Sequence, residues 1–191
     1  MDRRARRYRA GVRLRVPVIA VGALAGLLAG CGGGSPESTV EGVAMSITVS
    51  SSAFSEGGTI PRRYTCDGAD VSPALTFGGL PSGARDLALL VEDPDAPGGT
   101  FVHWVAWGID PAKAALAEGE KPAGEGVNGF GRQGYGGPCP PRGATHRYVF
   151  TAFALSRPAG LRPGASAKDL RASITGAVLA QGSLTGRYAR G

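Results

Sequence analysis

The sequence is short of aromatic residues, 13 in 191 positions, and shorter still of cysteine, with three, and histidine, with two. The HExxH spacing of a metallohydrolase does not occur, and neither Ser72 nor Ser183 sits in a nucleophile elbow or triad spacing. The glycines show no every-third-residue period, which excludes a collagen-like chain, and a hydrophobic content of 42% excludes a disordered one. Outside the N-terminus there is no excess of charge. Residues 1–30 carry seven arginines and one acid, Asp2, whereas residues 31–191 carry 14 basic and 14 acidic residues. A neutral body gains little from counterion release on a phosphate backbone, so nucleic acid is not an expected partner. What the chain has in abundance is glycine (32) and proline (14), in a length that suits one packed domain with long loops and not two.

An apolar run long enough to cross a bilayer is also missing. The fifteen residues Val16–Gly30 fall short of the roughly 20 that a spanning helix needs, but behind an Arg-rich start they suit the hydrophobic region of a signal peptide. Leu28-Ala29-Gly30-Cys31 resembles the bacterial lipobox, in which the cysteine is exposed by cleavage and then acylated. The expected organisation is a signal peptide at 1–30, lipidated Cys31 with a flexible Gly/Ser/Pro tether to residue 44, and a folded domain over 45–191. The domain is therefore expected to be exported and held to the membrane or cell envelope by lipid alone.

Ser46–Val49, Leu87–Glu92, Phe101–Gly108 and Arg147–Leu155 read as strands. Phe101–Gly108 and Arg147–Leu155 are apolar on both alternating faces, as in strands buried between two layers. One helix is expected near the C-terminus, opened by a Ser166…Asp169 capping box and carrying Leu170, Ile174 and Val178 on one face. Many strands with a single late helix predict a mainly all-β fold, a β-sandwich of antiparallel sheets. Between Ala117 and Thr145, 29 residues hold nine glycines and four prolines without a hydrophobic period. Such a loop is functional or disordered, and its amides could converge on an anion.

Candidate functional residues flank this loop. In Asp93-Pro94-Asp95-Ala96-Pro97, each proline biases its predecessor toward extended backbone, which fixes Asp93 at a strand end; the same run also suits a turn closed by Asx hydrogen bonds. His103 and His146 each sit near the start of an apolar strand. Strand alternation puts His146 and Tyr148 on one face, and His103 on a face with Phe101, Val105 and Trp107. These polar groups are either core residues or the mouth of a small-ligand pocket. In the second case nearby carboxylates would favour imidazolium, giving a donor pair whose affinity for an anion falls as pH rises through about 6 to 8.

DPDAP at 93–97, FVHWVAWGI at 101–109 and GYGGPCPPRGATHRYVFTAFAL at 134–155 resemble the signature blocks of the phosphatidylethanolamine-binding protein family. YTCDGADVSPALTFGGLP at 64–81 and the C-terminal VLAQGSLTGRY resemble its bacterial YbhB/YbcL, or Raf-kinase-inhibitor-like, branch. The resemblance runs collinearly over residues 46–190. It implies a Greek-key β-sandwich with a pocket for phosphoryl or other anionic groups, built from Asp93, Asp95, His103, Gly137, Pro140, Pro141, His146 and Tyr148. The chain departs from the family in a short stretch between Pro141 and His146, in lacking the long C-terminal helix of the animal proteins, and in having no histidine near Ala177. Kinase regulation is therefore not implied. Cys66 and Cys139 fall in blocks that would flank the pocket, as a disulfide or as a reduced buried pair.

Two functions follow as expectations. One is a binding module for a small phosphorylated or anionic ligand, or an inhibitor presenting its rim to an envelope protein partner. The other is a phosphoester hydrolase using the Asp/His cluster with a metal or as acid and base. No cofactor or resident metal is expected under the first reading.

Overall fold

The computed structural model describes residues 45–191; the expected signal segment, Cys31 and the tether lie outside the described residues. Nine strands and one α-helix follow in the order β1 (Met45–Ser46), β2 (Thr48–Ser50), β3 (Leu75–Gly78), β4 (Asp86–Asp93), β5 (Phe101–Ile109), β6 (Ala115–Leu116), β7 (Gly124–Glu125), β8 (Thr145–Leu155), α1 (Ala167–Ile174) and β9 (Val178–Ala189). They form a six-stranded sheet ordered β1-β9-β8-β4-β5-β7 and a three-stranded sheet ordered β2-β3-β6. All pairings are antiparallel except the short parallel contact of β1 with β9.

The central strands are covered on both sides because their side chains feed two separate cores. Leu87, Leu89 and Val91 of β4, Trp104 and Ala106 of β5 and Phe150 of β8 meet Val49, Leu75, Phe77 and Leu116 from the small sheet's side. The other face sends Ala88, Leu90, Val105, Trp107, Phe153 and Leu155 against Leu170 and Ile174 of α1. Each fully buried leucine or phenylalanine stabilises the fold by about 1.5–3 kcal/mol relative to exposure, so the sheet between these cores is a rigid platform for what lies at its end.

Helix α1 begins as the capping box dictates. Ser166 Oγ accepts from the Asp169 amide, and the Asp169 carboxylate accepts from the Ser166 amide. It ends sooner than the apolar period suggests: Gly176 takes a positive φ of 72° and the chain turns away, so Val178 is not on the helix but opens β9 and stays 39% exposed. The Gly/Pro-rich stretch is not structureless either. It contributes β7 along β5, and Asn128 ties a tight loop together, its side-chain amide donating to the Gly134 carbonyl while its Oδ1 accepts from the Phe130 and Arg132 amides.

Candidate binding pocket

Asp93 is the last residue of β4, and both of its carboxylate oxygens are engaged. Oδ1 accepts from the Asp95 amide at 2.8 Å, the Asx closure that DPDAP permits, and Oδ2 accepts from Nδ1 of His146 at 2.7 Å. Both side chains are nearly buried, at 5% and 8% exposure. His146 lies two residues before Tyr148 on β8, and alternation turns both toward the small-sheet side.

His103 arrives there by a different route. Opposite β5, Val91 pairs with Trp104 while Glu92 pairs with Val102, which leaves His103 as the extra residue of a β-bulge. The bulge breaks the alternation. Val105 and Trp107 pack on the α1 side instead of sharing a face with His103, and the imidazole sits among Phe101, Phe130 and Tyr148 with ring centroids 5.1–5.5 Å away. Gly136 clamps the bulge twice: its amide donates to the His103 carbonyl at 2.9 Å, and its carbonyl accepts from His103 Nδ1 at 2.6 Å.

That burial corrects the expected pair of imidazolium groups. Desolvation lowers the His103 pKa against the opposing pull of the Gly136 carbonyl and the Asp93 charge. Burial thus favours the neutral ring, whose Nδ1 proton is committed to the Gly136 carbonyl. The sign of the consequence is fixed: the unfolded chain takes up the proton first, near pH 6.5. The stability His103 contributes is thus complete above that pH and is lost as pH falls through the lowered folded value. Melting temperature is expected to drop between pH 7 and 5, and the slope should be shallower in His103→Phe. An unchanged slope would assign the titration to another group.

The two histidines, Asp93, Pro140 and Pro141 line an open cavity of about 320 Å³, with Ala96, Pro97, Phe101, Phe130, Cys139 and Arg190 completing the wall. Tyr148 lies beneath it, fully buried, with its hydroxyl unpartnered; burial first, then the Asp93 charge, pushes that hydroxyl's pKa up. Three of the residues the resemblance implied, Tyr148, Asp95 and Gly137, are not on its wall. Asp95 turns outward, where it accepts from the Arg147 amide and guanidinium, and this pairing holds its carboxyl far below the usual range. Gly137 donates its amide to Asp70 Oδ1 at 2.6 Å and lies against the Tyr64 carbonyl and Thr65. Nor do the loop's glycines form an anion nest. The amides of Gly126, Gly129, Gly134 and Gly136 donate to the carbonyls of Val105, Val102, Gly126 and His103.

Sequence reasoning passed over Phe130, Ala96, Pro97 and Arg190 as wall residues. Pro97 and Ala96 belong to DPDAP and could have been taken with it. Arg190 had no signal of its own, because the strand that delivers it, β9, was not anticipated. Cys139 is on the wall and is bonded to Cys66 in a disulfide.

The family model for "Phosphatidylethanolamine-binding protein" matches residues 50–189, most of the described chain. The chain belongs to the phosphatidylethanolamine-binding protein family. Among its relatives is the lipoprotein-named LppC of Mycobacterium tuberculosis, 41% identical over 194 aligned residues that cover 91% of this chain and 96% of LppC. Two solved structures carry the same fold. CT736 of Chlamydia trachomatis, described as a homologue in this family, superposes with a TM-score of 0.73 at 36% identity, covering 78% of this chain and 100% of its own. YbcL of Escherichia coli, described as a member of the mammalian family, gives 0.71 at 28% identity, covering 76% and 99%. The mostly β architecture of two sheets and one short helix is thus the family's fold.

Proposed function

We propose that this protein is an envelope-anchored binding module whose cavity takes a small ligand through a phosphoryl or other anionic group. The observation that carries the reading is the His146–Asp93 pair in a largely apolar cavity: with Nδ1 committed to the carboxylate, the imidazole has only Nε2 left to offer a ligand. Walls of Phe101, Phe130, Pro97, Pro140 and Pro141 suit the apolar remainder of such a ligand. Envelope location is supported by the Arg-rich start, the apolar run and the lipobox-like Leu28–Cys31, and by the name of the LppC relative. Among the described residues no helix is long and apolar enough to cross a membrane, and lipid on Cys31 would supply the anchor.

Binding is favoured over hydrolysis through a covalent enzyme intermediate by what lines the cavity. A histidine oriented by an aspartate is half of a catalytic constellation, but the wall carries no serine or threonine, and the one cysteine sulfur there is bonded to another sulfur. The pair has no protein nucleophile to activate. The rim could also present itself to an envelope protein, which would make the module an inhibitor or regulator.

The test is calorimetric titration of the full chain, purified in a non-ionic detergent, with inorganic phosphate, phosphoethanolamine, nucleotides and simple carboxylates. Phosphoryl compounds are expected to bind, and His146→Ala to weaken them at least tenfold, the worth of one charge-assisted hydrogen bond. Asp93→Asn, which keeps the shape but removes the charge that orients the ring, is expected to weaken binding several-fold while leaving the fold intact. Absence of heat with every anion would overturn the anion reading and turn attention to the rim.

A further inference from the structure

The cavity has one guanidinium and no ammonium on its wall, that of Arg190. Arg190 follows β9 and is fastened on three sides. Its amide donates to the Ala144 carbonyl, and its own carbonyl accepts from Gly143. Its Nε donates to Asp67 Oδ1 at 3.1 Å, while Asp67 Oδ2 is occupied by the Tyr188 hydroxyl at 2.8 Å. Asp67 therefore takes the guanidinium by one nitrogen only. The terminal nitrogens have no carboxylate partner among the described residues, and Nη1 lies 3.6 Å from Cys139 Sγ on the cavity wall. With its side chain 29% exposed, Arg190 is recessed compared with Arg132 and Arg147 at 61% and 53%, each of which is paired to an aspartate outside the cavity.

We propose that Arg190 is the charge-selecting residue of the pocket, holding a doubly charged phosphoryl group in preference to a singly charged anion of the same shape. This rests on the anion reading of the cavity and deepens it. The other groups on the wall give no fixed positive charge: His103 is buried with its Nδ1 proton on Gly136, and His146 gives its Nδ1 to Asp93 at 2.7 Å. Nε is held by Asp67, but the terminal Nη1–Nη2 edge, engaged only by the weak contact of Nη1 with Cys139 Sγ, matches phosphoryl oxygens in pairs, and the guanidinium charge does not titrate. The disulfide joins Cys66, the neighbour of Asp67, to Cys139, so the anchor of Arg190 and the wall it touches are one covalent unit.

Phenyl phosphate and phenyl sulfate share a shape and differ by one charge at pH 7.5, and their ring suits the Phe101 and Phe130 wall. Titrated calorimetrically into the full chain in non-ionic detergent, the phosphate is expected to bind about tenfold more tightly than the sulfate. In Arg190→Gln that ratio should collapse toward one, and in Arg190→Lys it should be largely kept, as expected for loss or retention of one charged contact. If both probes bind, His146→Ala abolishes binding and Arg190→Gln keeps the wild-type ratio, the assignment to Arg190 is overturned while the pocket reading stands. If wild type binds neither probe, the pocket reading itself fails and takes this one with it. Should Arg190→Gln not fold, the side-chain N–H resonances of Arg190 in the wild-type chain decide: they are expected to shift with phenyl phosphate and not with phenol, and resonances unmoved by phenyl phosphate would overturn the proposal.

Discussion

Replacing Cys66 and Cys139 together by serine is expected to lower the unfolding free energy by about 4 kcal/mol, the chain-entropy value for a bond that closes a loop of this size. The two cysteines are 73 residues apart, and the closed loop contains β3 to β7, including the strand that carries His103 and most of the Gly/Pro-rich stretch. Besides the sulfur bridge, the two segments are joined here by the Cys66 amide donating to the Pro138 carbonyl at 3.2 Å, the Gly137 amide donating to Asp70 Oδ1 and the Tyr135 hydroxyl donating to the Tyr64 carbonyl. The double variant should therefore lose stability first and, at temperatures where it remains folded, bind anions more weakly, since the wall at residues 139–141 and the Asp67 anchor are no longer covalently held to each other. Guanidinium unfolding with and without reductant measures the first effect, and titration with phenyl phosphate the second. An intact mass that gains no two protons on reduction, with an unchanged unfolding midpoint, would mean that the folded protein carries free thiols.

How much of this could be read from residues alone depends on whether side chains or backbone carry the information. Strands β4, β5 and β8 were legible because they are buried on both faces and write long apolar runs. β9, at twelve residues the longest strand, was not. Its inward positions include Ala180, Gly182 and Gly186, and a Cβ on Gly182 would run into the Ile47 carbonyl while one on Gly186 would run into Ile60. Close approach of neighbouring chain removes the very side chains that mark a strand. The site was divided in the same way. His146, Tyr148 and Asp93 obey simple alternation and end up together. His103 reaches them only through a bulge, which no period predicts, so the sequence reading kept it beside Phe101 correctly but grouped it wrongly with Val105 and Trp107. Arg190 was invisible along with β9. The resemblance supplied the block containing Gly137 but not the reason for a glycine there.

That reason is packing, and Gly137→Ala should show it. A Cβ at this position would press on the Tyr64 carbonyl and lie 2.7 Å from Asp70 Oδ1 and 2.8 Å from the Thr65 Cα. Two of these three neighbours are backbone and cannot rotate aside. Asp70 cannot yield easily either, because it sits at a positive φ of 54° and is the acceptor of the Gly137 amide. Relief requires the Gly136–Cys139 segment to move away from the Tyr64–Cys66 segment, against the disulfide and against the double clamp of Gly136 on His103. Overpacking of this kind costs about 3 kcal/mol, which for a domain of this size lowers the melting temperature by roughly 8 °C. A residue that served the ligand alone would behave differently, losing affinity at unchanged melting temperature. The two roles are therefore separated by measuring both quantities on one variant, and the expected result is a fall in melting temperature accompanied by weaker binding, because the wall that contacts the ligand is the segment forced to move.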